Sequence, residues 1–245
     1  MPCLLRAVGL LGWLLVAQAG AGEKLRLVAD LWPPFTDNTL LNGGLATDLV
    51  STALKRAGYD TECQQVPWAR ALNGVGEGRY DVLVNAWFNQ ERTKLGLFSS
   101  EYLLNRVRFL KRSRSSVEYR ELYQLYERPI AVVRGYTYSA EFDSDEMLEK
   151  VPVNDFSMAV RMVVAGRVDL AVEDEFVARF YLSQESRAVR DAIEFLPKSL
   201  SENSLHILVS LKNPQHEQIV AGFDREIAAM KADGSYEKLL KQHGM

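Results

Sequence analysis

From Lys24 onward, short apolar runs alternate with segments of helical period. Residues 25–29 are apolar at all but one position and predict a strand. Leu45, Leu49, Ala53 and Ala57 recur every fourth residue, one face of a helix, and Gly58 follows as a stop signal. Residues 61–66 predict a second strand, 69–75 a helix and 81–86 a third strand. A β-α-β-α-β order implies a mainly parallel sheet covered by helices.

The same layout returns in the second half. Residues 130–134 predict a strand, 156–165 a helix and 168–173 another strand. The stretch from Ala71 to Val84 resembles that from Ala159 to Val172, with Gly78/Gly166, Arg79/Arg167 and Asp81/Asp169 coinciding. A glycine at the end of each helix can take the left-handed conformation that turns the chain into the next strand. Two similar α/β lobes are therefore expected. Segments 106–111 and 205–211 are strand-like, lie at the junctions and can cross between the lobes. Crossing would make the first lobe discontinuous, 22–108 plus 206–245, with 109–205 as the second. The expected fold class is α/β: two lobes, each a mainly parallel sheet flanked by helices, joined by two crossing strands.

Composition narrows the function. Of 245 residues 47% are hydrophobic and 25% charged, an ordinary globular balance. Net charge is −3 with both signs interspersed and no basic stripe, which argues against a nucleic-acid partner. The first residues differ in kind. Arg6 precedes an apolar run at 8–16, and Ala17-Gln18-Ala19 supplies small residues suited to signal peptidase, with a second cut offered after Ala21. Residues 1–21 are accordingly expected to be a cleaved signal peptide. Cys3 falls inside it, leaving Cys63, so no intramolecular disulfide is expected. Cys63 reads as a small apolar strand residue.

Ligands in open α/β sheets sit beyond the carboxyl ends of strands. Asp30-Leu31-Trp32-Pro33-Pro34-Phe35 follows the first strand, Pro67-Trp68 the second and Trp87-Phe88-Asn89 the third. Any one of these tryptophans could cap the sheet core. Three at matching positions point to a pocket, where indole gives stiff walls for stacking and faces attractive to cations. Arg92 follows Asn89, a good helix N-cap, so its guanidinium lies where helix N–H groups already attract anions. It could equally pair with Glu91 on the surface. Gly135-Tyr136-Thr137-Tyr138 leaves the 130–134 strand toward a predicted helix and offers N–H groups and a hydroxyl. Asp174 can receive a ligand ammonium or cap its own helix. Asp30 and Asn85, at the ends of the first and third strands, complete the candidate ligand set with Trp32, Trp68, Trp87, Asn89, Arg92, Tyr136, Thr137 and Asp174. His206, His216 and His243 share no metal-ligand spacing, and no phosphate-loop or nucleophile-elbow motif is present. No cofactor, metal or catalytic residue is expected.

Taken together, these segments resemble the family 3 extracellular solute-binding proteins, the periplasmic receptors of polar amino-acid ABC transporters. The markers are Trp32 to Phe35, Gly44-x-x-x-Asp48-Leu49, Gly78-Arg79-Tyr80-Asp81, Glu91-Arg92, Phe98-Ser99-x-x-Tyr102, Gly135-x-Thr137, Ala165 to Asp169, Asp174-Glu175 and Ala232 to Tyr236. The resemblance implies a two-lobed fold with ligand in the cleft. It implies that Trp32 packs on the ligand, Trp68 lines the wall, Arg92 grips an α-carboxylate with help from the Gly135-x-Thr137 turn, and Asp174 takes an α-ammonium. It also implies an ABC permease as partner and a monomer in the periplasm. Trp87, Phe88 and Asn89 stand where the family commonly places small hydroxyl residues, and Ala46 replaces an acidic position. An aromatic, flat or cationic ligand therefore enters the range. Two alternatives are a ligand sensor for a membrane receptor and a cyclohexadienyl dehydratase-like enzyme, for which Asp30, Glu173 and Asp174 are the acids on offer.

Overall fold

The computed structural model describes residues 24–245 other than Gly135, so the expected signal peptide lies outside the described residues. The first half folds as strand β1 (Lys24–Ala29), helix α1 (Leu45–Arg56), β2 (Asp60–Gln65), α2 (Trp68–Gly76), β3 (Val82–Trp87), β4 (Gly96–Phe98) and β5 (Leu103–Arg112). The second half continues with β6 (Ile130–Val133), α3 (Ala140–Ser144), β7 (Lys150–Val153), α4 (Phe156–Val164), β8 (Leu170–Asp174), α5 (Glu175–Ser183) and α6 (Arg187–Asp191). A long strand β9 (Ile193–Ser210) returns the chain to helices α7 (His216–Ala232) and α8 (Ser235–Gln242).

The strands form one sheet in the order β2-β1-β3-β9-β5-β8-β6-β7, with β4 on β9. Its two ends are parallel triplets of the same design, a first strand flanked by a second outside and a third inside. Between them β5 and β9 run antiparallel to each other and to their neighbours. The sequence repeat is thus a repeat in space. Gly78 (φ 78°) and Gly166 (φ 69°) are both left-handed just past α2 and α4. Asp81 N donates to Arg26 O and Asp169 N to Pro129 O, each at 2.9 Å, so the third strand enters beside the first in both halves. Arg26 also binds Asp81, and Arg128 binds Asp169.

Burial follows the same division. Leu25, Leu27, Phe35 and Leu49 share a core with Phe223 and Met230 of α7. A separate core gathers Phe109, Phe142 and Leu170. Strand β5 gives Leu103 to the first and Val107 to the second, and β9 gives Leu205 and Leu196 respectively. The β5–β9 ladder changes register between Val107 and Arg108, beside this crossing. Phe176 of α5 touches Phe35 edge-on, 5.7 Å between centroids, so the two halves also meet directly. Cys63 is half-buried in β2, and burial raises its thiol to about 11, the state of an inert packing residue.

Two expectations need correcting. Strand β9 begins at Ile193, well before the predicted 205–211, because its polar stretch around Ser199, Glu202 and Asn203 is held by the ladder to β5 rather than by an apolar face. The helix expected straight after 130–134 starts only at Ala140, where Ser139 caps it by accepting from Phe142 N. Tyr136 and Thr137 are therefore loop residues.

Candidate functional site

The loop after β1 is braced against α1. Leu45 N donates to Pro34 O (2.9 Å) and Ala46 N to Phe35 O (2.8 Å), so loop carbonyls occupy the free N–H groups of the helix start. The approach demands Gly44, whose φ is 96° and where a Cβ would sit 2.6 Å from Phe35 O. This bracing holds Trp32, whose ring contacts Phe35 at 4.4 Å and the edge of Trp87 at 5.7 Å.

Trp68 opens α2 immediately after Pro67. Arg92 rises from a 3-10 turn, Gln90–Lys94, lies 4.9 Å over the Trp68 ring and donates through Nη1 to Trp87 O at 2.9 Å. Burial lowers its pKa, yet a guanidinium stays charged at any physiological pH. Glu91 pairs with Lys94, so Arg92 is turned inward. Asn89 accepts from Glu91 N at 2.8 Å and caps this turn. At the end of β3, Asn85 Nδ2 donates to Asp30 Oδ1 at 2.7 Å.

The facing wall comes from the second half. Asp174 caps its own helix and also lines the cavity. Its Oδ1 caps α5 by accepting from Phe176 N (2.9 Å) and Val177 N (3.0 Å), while Oδ2 accepts from Asn105 Nδ2 at 3.0 Å. Asn105, fully buried on β5, accepts the Trp87 indole N–H with its other end at 3.2 Å. One crossing-strand amide therefore ties the floor of one wall to the other. Burial raises the Asp174 carboxyl to about 6, against the capping N–H bonds. Burial raises Glu173 further, to about 8, although its carboxyl accepts from Asp174 N; the adjacent Asp174 charge adds to the rise. Tyr136 is pushed to about 12, first by burial and then by Glu173, Tyr181 and Asp30.

These side chains enclose one cavity of about 390 Å³ between the two halves, inside the range of roughly 300–1,000 Å³ usual for small-molecule sites. Every candidate residue except Asn89 lines it. Asn89 acts as a cap and stands back from the cavity. The sequence reading missed Leu31, Val107 and Tyr138 as lining residues and named Glu173 only as an acid. A second concavity, about 530 Å³, lies against the loop at Tyr136–Tyr138 and takes all its walls from the second half, without tryptophan or Arg92. Among the described residues no cluster of His, Cys, Asp or Glu is placed to hold a metal ion, and no helix is long and apolar enough to cross a membrane.

Comparison with known proteins places this geometry. The profile of the bacterial extracellular solute-binding proteins, family 3, matches residues 26–245, and the chain belongs to that family. Among solved structures, it is similar to the L-cystine solute receptor of Neisseria gonorrhoeae in its unliganded open conformation. That pair shares 20% identity, covers 91% of this chain and 93% of the other, and has a TM-score of 0.73. It is also similar to substrate-binding domain 2 of Lactococcus lactis GlnP in an open conformation, at 16% identity, 90% and 95% coverage and TM-score 0.72. A third similar structure is the ancestral amino acid-binding protein AncCDT-1, a precursor of cyclohexadienyl dehydratase, at 22% identity, 89% and 94% coverage and TM-score 0.61. No curated protein matches the sequence.

Proposed function

We propose that this family 3 solute-binding protein captures an amino acid or related small polar metabolite in the cavity between its lobes and delivers it to an ABC permease. The lobes are residues 22–108 with 206–245, and residues 109–205; the protein works as a monomer in the periplasm after removal of residues 1–21. The observation that carries the reading is the convergence of Trp32, Trp68, Trp87 and Arg92 from one half with Tyr136, Thr137 and Asp174 from the other around one cavity. Trp32 and Trp87 stack on the ligand, Arg92 binds its anionic end and Asp174 a cationic one. Asp30, Asn85 and Thr137 set its polar contacts. Closure bends β5 and β9 near the register change, and contacts from both lobes are completed only when shut.

Thermal-shift screening of amino acids and organic acids identifies the ligand, because binding confined to the native state raises apparent stability. Titration should then shift tryptophan fluorescence, and Arg92→Ala and Asp174→Ala should each abolish that response. Normal binding by both variants would refute the clamp. One observation favours a second reading, a dehydratase on the same fold. Glu173 is a buried carboxyl that keeps its proton near neutral pH at the cavity wall, the state a general acid needs. Turnover of a prephenate-like acid, lost in Glu173→Gln, distinguishes it from simple capture.

A further inference from the structure

Two polar side-chain oxygens at the cavity lack partners. Glu173 Oε2 and Asn85 Oδ1 are buried without a hydrogen bond, two of four such side-chain atoms among the described residues. Both residues are 4% exposed and both line the cavity, Glu173 from the end of β8 and Asn85 from β3 on the opposite side. The Asn85 amide has its orientation fixed. Its Nδ2 donates to Asp30 Oδ1, and the flipped amide would set its oxygen against that carboxylate. Glu173 is half-satisfied in a similar way, Oε1 accepting from Asp174 N at 2.9 Å.

Buried polar atoms without partners are costly, about 1–3 kcal/mol each in proteins, so a site keeping two has use for them. The charges point the same way. Three groups able to carry negative charge, Asp30, Glu173 and Asp174, line the cavity with a single cation, Arg92, and Arg92 is already engaged with Trp87 O and the Trp68 ring. The indoles of Trp32, Trp68 and Trp87 add faces that attract cations. What is missing is a group rich in N–H donors and bearing positive charge.

We infer that Glu173, together with Asn85, is the specificity determinant of this cleft and receives a cationic nitrogen group of the ligand, so that the ligand is a basic amino acid or amine rather than an acidic one. The assignment rests on the capture site proposed above. Binding then has a proton balance. Besides Asp174, the groups around Glu173 are Tyr136 and Tyr138 on the loop after β6, Tyr181 on α5, and Arg108 opposite it on β5, which is paired to Glu175; Asp30 and Arg92 lie across the cavity. None of the nearest is an unpaired cation, and burial holds Glu173 protonated near neutral pH. An incoming ammonium or guanidinium favours the carboxylate, and the proton passes to the buffer.

Isothermal titration calorimetry of the purified full chain at pH 7, in buffers of different ionisation enthalpy, tests this with lysine, arginine and putrescine against glutamate and glutamine. At least one basic probe should bind most tightly, and its heat should vary with buffer as a proton is released. Glu173→Gln should weaken that probe about 10-fold or more and remove the buffer dependence; Asn85→Ala should weaken it without removing the dependence. Circular dichroism confirms that each variant is folded. Preference for glutamate, or Glu173→Gln binding basic probes like the wild type, overturns the inference while leaving capture by Arg92 and Asp174 standing. No change in tryptophan fluorescence with any of the five probes overturns both.

Discussion

Replacing Glu173 by glutamine should stabilise the folded protein at alkaline pH and leave it almost unchanged in mild acid. Glutamine matches the shape of the protonated acid, and its oxygen can still accept from Asp174 N. Folding raises the Glu173 pKa from an ordinary 4.5 to about 8. Between those values the native state keeps a proton that the unfolded chain releases, so stability falls as pH rises through the interval. At about 1.4 kcal/mol per pH unit the whole interval caps the penalty at roughly 5 kcal/mol. Water reaching the crevice reduces this, and about 2–3 kcal/mol is the expected cost, in line with other buried polar groups. For a chain of this size that corresponds to roughly 4–12 °C in Tm. Melting curves of both proteins at half-unit steps from pH 5 to 9, without ligand, provide the measurement. Asp174 is raised as well, but it contributes the same slope to both curves and drops out of their difference. The two Tm values should nearly coincide near pH 5, diverge progressively up to about pH 8 and run parallel above it, with the variant higher. A gap independent of pH, or a variant less stable at pH 9, would refute the assignment of Glu173 as a buried, proton-retaining acid.

Two predictions concern the scaffold. Gly44→Ala should cost about 2–3 kcal/mol, measured by urea denaturation, because the new Cβ meets Phe35 O at 2.6 Å from a left-handed backbone; a neutral result would mean that the loop is not braced as described. Tyr236→Phe should cost about 1–2 kcal/mol with an unchanged m-value, since its hydroxyl donates to the buried Tyr102 O at 2.7 Å; an effect under a few tenths would show that water replaces it.

The parts of the fold that were legible in sequence are those specified locally. The α2-to-β3 and α4-to-β8 turns each need a left-handed glycine, and Gly78 and Gly166 supply matching signals. Strands β1, β3, β6 and β8 have a neighbour on both sides within the sheet and carry apolar runs. Edge and crossing strands carry weaker ones. Strand β7 holds Pro152, tolerated because it lies at the sheet edge, and the first half of β9 is polar because its partner is a backbone, not a core. The candidate site was legible where position after a strand is enough, as for the three tryptophans and Arg92. Tyr138, Val107 and Asn105 were missed because their roles depend on which strands cross. Tyr138 reads as one aromatic in a turn, and Asn105 lies just before the predicted strand at 106–111. Glu173 did leave a trace, an acid inside the buried run of β8, where alternation alone cannot say which face it takes.

Two of the chain's cores close on different schedules. The one around Phe109, Phe142 and Leu170 draws on a continuous stretch and can assemble once β9 has begun to emerge. The one holding Leu25 and Leu27 also contains Phe223, Met230 and Tyr236, so its earliest strand must wait for almost the last helix. Contacts this distant in sequence make for slow association. Until α7 and α8 arrive, β1, α1 and β3 have an apolar face with nothing to cover it. A chain built this way stays unfinished in its opening third throughout synthesis, a condition well suited to threading across a membrane before folding.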